Sequence, residues 1–198
     1  RGHSISSSIA FCEFNSTKIN LIDTPGSNNF IADTPATLRV VDGLVFVISA
    51  VEGMQFYTEK IWNWADELEL PRIIFLNKMD HERANAGPIL EAIKMKLKKT
   101  PIFIHLPQET GEKFSGIVDL IENKFFSYDR GGEGKGNPEG VPADILDEME
   151  ISHAELIEAV AEVDDELIEK YLESGELTVE EVFYGLKEGI KKGQLNPV

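Results

Sequence analysis

Two hydrophobic patterns alternate along the first hundred residues of the chain. Short apolar runs predict strands, and apolar residues spaced three or four positions apart predict helices. Strands and helices that follow one another in turn are typical of an α/β fold with a mostly parallel sheet. The predicted strands span residues 5–14 and 18–22, joined near Asn15-Ser16, and 44–50 and 72–77, both fully buried; the predicted helices span 29–41, 55–68 and 88–99.

From residue 101 the pattern changes to short strands followed by three helices. Strands are predicted at 101–106, 113–121 and 124–128, with a hairpin turn at Glu122-Asn123 and a flexible glycine-rich loop at 131–140. Helices are predicted at 154–163, at 165–172 and after Thr178, which forms a capping-box signature with Glu181. Each helix has an apolar face that we expect to be buried: Leu156, Ile157, Val160 and Ala161; Leu167, Ile168, Tyr171 and Leu172; and Val182, Phe183, Leu186 and Ile190.

Nearly all of the net charge of −16 lies in this later part of the chain. Residues 139–184 hold sixteen Asp and Glu and a single basic residue, Lys170. Such a surface repels phosphate backbones, so we expect no direct nucleic-acid contact there. It would attract a basic protein over a distance, although composition alone favours a solvated acidic face.

Cysteine and histidine usage excludes several classes of site. One cysteine, Cys12, admits no intrachain disulfide and suits a reducing compartment, and its place in a predicted strand makes it a buried apolar residue by default. The four histidines are scattered without ligand spacing, so no zinc site is predicted. The sequence shows no membrane span and no signal peptide, which predicts a cytoplasmic protein.

The tetrapeptide Asp23-Thr24-Pro25-Gly26 directly follows the apolar run at residues 19–22. A carboxylate at the end of a strand can hold a water of a phosphate-bound Mg²⁺, because that ion keeps most of its water shell. A glycine can bring its backbone N–H close to a phosphate because it lacks a Cβ. This segment is therefore a candidate phosphate and magnesium site.

A second tetrapeptide, Asn77-Lys78-Met79-Asp80, directly follows the apolar run at residues 73–76. The Asp80 carboxylate accepts hydrogen bonds only, and it matches the two neighbouring N–H donors of guanine, which adenine lacks. The stem of Lys78 can lie along a base while its ammonium stays in water. Either tetrapeptide alone is also typical of an ordinary turn. Both together, each at the end of a strand, predict a GTPase.

With these two motifs in place, the chain closely resembles the elongation factor G family of ribosomal translocases. The resemblance covers essentially the whole chain, and it also rests on Arg1-Gly2-His3-Ser4-Ile5, Val41-Asp42-Gly43, Pro71-Arg72-Ile73 and Phe114-Ser115-Gly116-Ile117-Val118-Asp119. It implies a P-loop GTPase-like fold, with helices on both faces of a mostly parallel sheet. A partial GTP-binding domain would span 1–100, an inserted α+β subdomain of short strands and acidic helices 101–195, and the return to the first domain 196–198.

The resemblance also implies ligands and partners. GTP or GDP would contact Asp23, Thr24, Pro25, Gly26 and Ser27 on one side and Asn77, Lys78, Met79 and Asp80 on the other. Magnesium would be held by Asp23 and by Ser4, which stands where the family has the switch I threonine. The partners would be the ribosome and, at the acidic helices in residues 142–192, the ribosomal stalk protein.

The sequence departs from the family pattern in two ways. The family follows its Asp-Thr-Pro-Gly with a histidine that positions the attacking water, and here that position is Ser27. A serine has no ring nitrogen that titrates near neutral pH, so it cannot supply the same electrostatic and water-orienting role. Gly26 and Ser27 are the catalytic candidates. The P-loop that would precede residue 1 and the final guanine loop are not in the sequence, so we expect the chain alone to bind GTP poorly and to be inactive.

Three functional hypotheses remain open. The first is a GTPase that couples GTP hydrolysis to a step of protein synthesis. The second is a GTP-binding switch on the ribosome that hydrolyses slowly or not at all, which Ser27 favours. The third is an interaction module in which the acidic helices matter more than the nucleotide site.

Overall fold

The computed structural model describes residues 4–129, 132 and 134–198, and the chain divides into two compact units. The first unit comprises Arg1–Gly43 and Gln55–Leu70, and the second comprises Leu44–Met54 and Pro71–Val198. In the described residues no helix is long and apolar enough to span a membrane.

The first unit begins with an antiparallel hairpin of β1 (Ser8–Phe14) and β2 (Thr17–Asp23). Its turn residues Asn15 and Ser16 both have left-handed backbone angles, with φ of 46° and 60°, which is the pattern of a two-residue hairpin turn. This confirms the predicted strand pair. The prediction that Cys12 is buried is wrong, because β1 is exposed along its whole length and the thiol with it.

The helices of the first unit lie after the hairpin. A 3-10 helix spans Asn28–Asp33, α1 spans Thr34–Leu38 and α2 spans Phe56–Glu67. The predicted single helix at 29–41 is wrong, because Phe30 leaves helical geometry at φ −127° and a proline in the first turn of α1 starts a new helix. The prediction for α2 is confirmed. α1 lies beside α2, and Trp62 of α2 is fully buried as a packing residue.

The second unit opens with two parallel strands, β3 (Leu44–Ser49) and β4 (Arg72–Asn77), paired with Ser49 opposite Asn77. Burial alternates along both strands: Phe46 and Ile74 are buried, whereas Val47 and Phe75 are more than half exposed. The prediction that these strands are buried on both faces is therefore wrong, because successive side chains point to opposite faces and only one face is covered.

After β4 the chain forms α3 (Gly87–Ala92), which continues as a π-helix at Ile93–Leu97. The helix ends at Lys98, whose φ of 51° is left-handed. This confirms the predicted third helix, which begins one residue earlier and ends two residues earlier than predicted. The predicted strand at 101–106 is wrong, because it divides into β5 (Pro101–Ile102) and β6 (His105–Pro107), which belong to different sheets.

β6 belongs to a four-stranded antiparallel sheet with β7 (Gly116–Asp119), β8 (Lys124–Ser127) and β9 (Asn137–Glu139). The strands lie in the order β6-β7-β8-β9. The predicted hairpin turn between β7 and β8 is confirmed, and Asn123 has a left-handed φ of 54°. The predicted flexible loop at 131–140 is wrong for β9, an edge strand that tolerates its proline. Residues 131 and 133 of that prediction lie outside the described residues.

Three helices complete the second unit: α4 (Leu146–Ala161), α5 (Asp165–Ser174) and α6 (Val179–Lys191). The last strand, β10 (Asn196–Pro197), pairs in parallel with β5. α4 begins eight residues earlier than the predicted helix at 154–163, and the other two helices are confirmed. Leu156, Val160, Leu167, Val182 and Leu186 share a core with β7 and β8. The predicted burial of Ile168, Leu172 and Phe183 is wrong, since each is at least 38% exposed.

Candidate functional site

The candidate magnesium residues of the first unit are in contact. Asp23 is the last residue of β2, and its Oδ2 accepts a hydrogen bond of 3.0 Å from the hydroxyl of Ser4. Both residues are exposed. No group of three or more His, Cys, Asp or Glu that could hold a metal occurs in the described residues. One carboxylate and one hydroxyl suit Mg²⁺, which takes few protein oxygens and fills its shell with water and phosphate.

The glycine of the first tetrapeptide has no structural reason to be a glycine. A Cβ built on Gly26 meets no atom within 4 Å, and its φ lies outside the left-handed range. Pro25, the residue before it, is fully buried and fixes the approach of the chain. The space in front of Gly26 is therefore open to a ligand.

Ser27 begins the 3-10 helix. It occupies the N-cap position with φ −84° and ψ 139°, and its carbonyl accepts a hydrogen bond of 2.9 Å from Phe30 N–H. Serine at an N-cap normally accepts a backbone N–H with its side chain. Here the Ser27 hydroxyl makes no such bond, and it has no partner in the part of the chain that the structure describes.

In the second unit the second tetrapeptide, Asn77–Asp80, starts at the last residue of a strand. Asn77 is the last residue of β4; its carbonyl accepts a hydrogen bond from Ala50 N–H at 2.8 Å and its Oδ1 accepts one from Lys78 N–H at 2.9 Å. Lys78 has a left-handed φ of 63°, a conformation that non-glycine residues adopt rarely. Its ammonium forms an ion pair of 3.2 Å with Glu52.

The residues after Lys78 form a turn that is anchored through the backbone. The carbonyl of Lys78 accepts a hydrogen bond of 3.1 Å from His81 N–H, and the carbonyl of Met79 accepts one of 2.8 Å from Gly111 N–H. Asp80 is exposed, and its carboxylate has no hydrogen-bond or ion-pair partner among the described residues. The fold thus presents to solvent a carboxylate that has no protein partner among the described residues.

The predicted site residues lie in separate units of the structure. Ser4 and Asp23–Ser27 belong to the first unit, and Asn77–Asp80 belong to the second. Sequence reasoning missed Glu52, which lies in the turn after β3 and contacts Lys78. The sequence could have indicated this contact, because the turn that follows one parallel strand lies beside the turn that follows the neighbouring strand. A charged residue in the turn after β3 was therefore a candidate partner for Lys78.

Comparison with known proteins identifies the family of the chain. Residues 1–195 match the model of the elongation factor Tu GTP binding domain family. The structure is also similar to the crystal structure of the protein ttk003000868 from Thermus thermophilus, with a TM-score of 0.87 and 29% sequence identity. That match covers 99% of this chain and 29% of the Thermus chain. The α/β fold of a translational GTPase domain that the sequence predicted is thereby confirmed, and the chain belongs to the elongation factor Tu GTP binding domain family.

Proposed function

We propose that this chain is the GTP-binding part of an elongation factor G-like protein that couples GTP binding and hydrolysis to a step of protein synthesis on the ribosome. The observation that carries the proposal is the placement of Asn77–Asp80 at the end of β4, with the Asp80 carboxylate exposed and unpaired among the described residues. Family membership over residues 1–195 supports it.

Asp80 selects the base in this proposal. Its carboxylate accepts the two N–H donors of guanine, and a base without them leaves the carboxylate unmatched, which can cost orders of magnitude in affinity. Backbone hydrogen bonds to the carbonyls of Lys78 and Met79 hold the turn that carries Asp80. Asn77 and Lys78 complete the contact with the purine.

Ser4 and Asp23 would hold Mg²⁺, and the backbone of Thr24, Pro25 and Gly26 would face the terminal phosphate. The ion would supply positive charge to the phosphate oxygens. The open space at Gly26 supports this role, since a Cβ there would point into solvent rather than into the protein. Ser4 and Asp23 already share a hydrogen bond of 3.0 Å, so the two oxygens are held close together.

Ser27 supports a second candidate, a switch that binds GTP and hydrolyses it slowly. The family resemblance places residue 27 next to the attacking water. A hydroxyl without a partner in the described part of the chain can orient water by hydrogen bonding but lacks the charge of an imidazole.

We further propose that residues 101–195 form the inserted subdomain, between the GTP-binding segments 1–100 and 196–198. The acidic helices would then meet a basic partner, which the resemblance identifies as the ribosomal stalk protein. Exposed apolar side chains among the acids support a protein partner over a nucleic acid: Leu172 is 78% exposed and Phe183 51%. A cytoplasmic location follows from the ribosomal role.

The test uses the full-length protein. GDP, GTP and ADP affinities are measured by calorimetry, and single-turnover hydrolysis of GTP is followed with and without ribosomes. The proposal expects a preference of at least about a hundredfold for GDP over ADP and hydrolysis that ribosomes accelerate. Guanine preference without hydrolysis would select the slow switch, and equal affinities for GDP and ADP would contradict both candidates.

A further inference from the structure

The turn after β3 is a compact element with its own internal bonds. The Ser49 hydroxyl accepts the N–H groups of Val51 and Glu52 at 3.4 and 3.2 Å, and the Ser49 carbonyl accepts Gly53 N–H at 2.8 Å. Gly53 has a left-handed φ of 71°, which closes the turn. Glu52 therefore leaves the turn from a fixed backbone position.

Lys78 is held at both of its ends. Its backbone N–H donates to Asn77 Oδ1 at 2.9 Å, and its Nζ lies 3.2 Å from Glu52 Oε1. Lys78 forms no other ion pair in the described part of the chain. The ion pair thus links Lys78, directly after β4, to Glu52, in the turn after the neighbouring parallel strand β3.

We infer that Glu52 is a positioning residue for base recognition, which acts by holding Lys78 in the conformation that contacts guanine. The inference rests on the proposed function. A lysine side chain loses much rotamer freedom when it is immobilised on a ligand, and a side chain that is already restrained loses less. Because both partners are about half exposed, the pair contributes little to stability by itself, and its effect should appear in binding.

The test measures GDP affinity of the full-length protein and of E52Q, E52A, K78A and E52A/K78A. E52A should weaken GDP binding about threefold to fivefold, in line with the value of one restrained side chain. E52Q should fall between E52A and wild type, because an amide oxygen still accepts from the ammonium without its charge. In the K78A background, E52A should change the affinity by less than about 1.5-fold.

E122Q is the matched control, because Glu122 forms an exposed ion pair of 2.6 Å with Lys124 elsewhere in the same unit. It should bind GDP like the wild type. Salt dependence distinguishes this role from a purely structural one. At about 1 M salt, where charges are screened within a few ångströms, the ratio of wild-type to E52A affinity for GDP should approach one.

Three results would overturn the inference. GDP affinity that E52A leaves unchanged or increases would show that Glu52 does not position Lys78. A loss that persists in the K78A background would show that Glu52 acts by another route. A wild-type protein that binds GDP no better than ADP would refute the proposed function and this inference with it, whereas the first two results leave the proposed function intact.

Discussion

The segment Asp23–Ser27 and the helices α4–α6 each contain a glycine and an N-cap residue, but these residues differ in their contacts with the rest of the protein. In the helices Gly185 and Thr178 have internal partners: a Cβ on Gly185 would lie 2.5 Å from Val160, and the hydroxyl of Thr178 accepts a hydrogen bond from Glu181 N–H. In the segment, Gly26 meets nothing within 4 Å and the Ser27 hydroxyl has no partner among the described residues, although Ser27 and Thr178 are both N-caps.

The difference separates residues that the fold explains from residues that it does not. A glycine or an N-cap residue with internal contacts contributes to stability, and its substitution should destabilise the protein. The same residue without contacts can be replaced with little effect on stability, so a large effect of its substitution on GTP binding would point to a ligand. Substitutions in both regions can therefore test the assignment of the site.

The largest effect is expected at Ser27. Ser27→His in the full-length protein should raise ribosome-stimulated GTP hydrolysis about a hundredfold to a thousandfold, the value of one preorganised group acting on the transition state. GTP affinity should change little, because the residue acts on the rate. Single-turnover kinetics measures the first quantity and calorimetry the second.

Asn63→His is the control, because it adds the same ring at an exposed position of α2 in the same unit. It should leave hydrolysis unchanged. Fast hydrolysis by the wild type that Ser27→His does not increase would mean that another group already orients the water.

The next effect contrasts two glycines. Gly185→Ala should lower the free energy of unfolding by about 1–3 kcal/mol through overpacking against Val160 and Leu167, partly offset by the higher helix propensity of alanine. Gly26→Ala should change it by less than about 0.5 kcal/mol but weaken GTP binding about tenfold, since a Cβ there would stand in front of the phosphate. Chemical denaturation and calorimetry measure the two quantities. Equal destabilisation by both variants would contradict the comparison.

The N-caps should differ by a smaller amount. Thr178→Ala removes the side-chain acceptor of the α6 capping box and should cost about 1 kcal/mol of the free energy of unfolding. Ser27→Ala should cost less than about 0.5 kcal/mol, because the Ser27 hydroxyl caps nothing. Urea denaturation of the two variants tests this, and an equal loss would show that Ser27 is a structural cap.

The smallest expected effect is on the stability of the protein at acidic pH. A hydrogen bond from Lys170 at 2.5 Å, followed by bonds from Thr178, lowers the pKa of Glu181 to about 2. Because this pKa lies below the usual value of 4.5, the stabilisation is present above about pH 4.5 and is lost as the pH falls towards 2. The stability difference between wild type and Glu181→Gln should therefore shrink over that range.

Lys170→Met provides the control for this prediction. In its background Glu181→Gln should show a weaker dependence on pH, since the first cause of the lowered pKa is gone. A pH dependence that is the same in both backgrounds would place its origin outside the Lys170–Glu181 pair.

Local chemistry made much of this fold predictable. The turn at Asn15-Ser16, the cap at Thr178 and the position of both tetrapeptides at strand ends follow from a few neighbouring residues, and all are found. The misses depend on distant contacts. The exposure of Leu172 follows from which helix face meets the core, and the pair between Glu52 and Lys78 forms only when β3 and β4 align.

The most direct test of the proposed guanine site is Asp80→Asn in the full-length protein, with the affinities for GDP and xanthosine diphosphate (XDP) measured by calorimetry. The account predicts that GDP affinity falls about a hundredfold or more and that XDP affinity rises, because the amide donates where xanthine carries a carbonyl. Asp147→Asn, an exposed position of α4, should change neither affinity. Unchanged GDP affinity in Asp80→Asn would show that Asp80 does not contact the base and would contradict the proposed function.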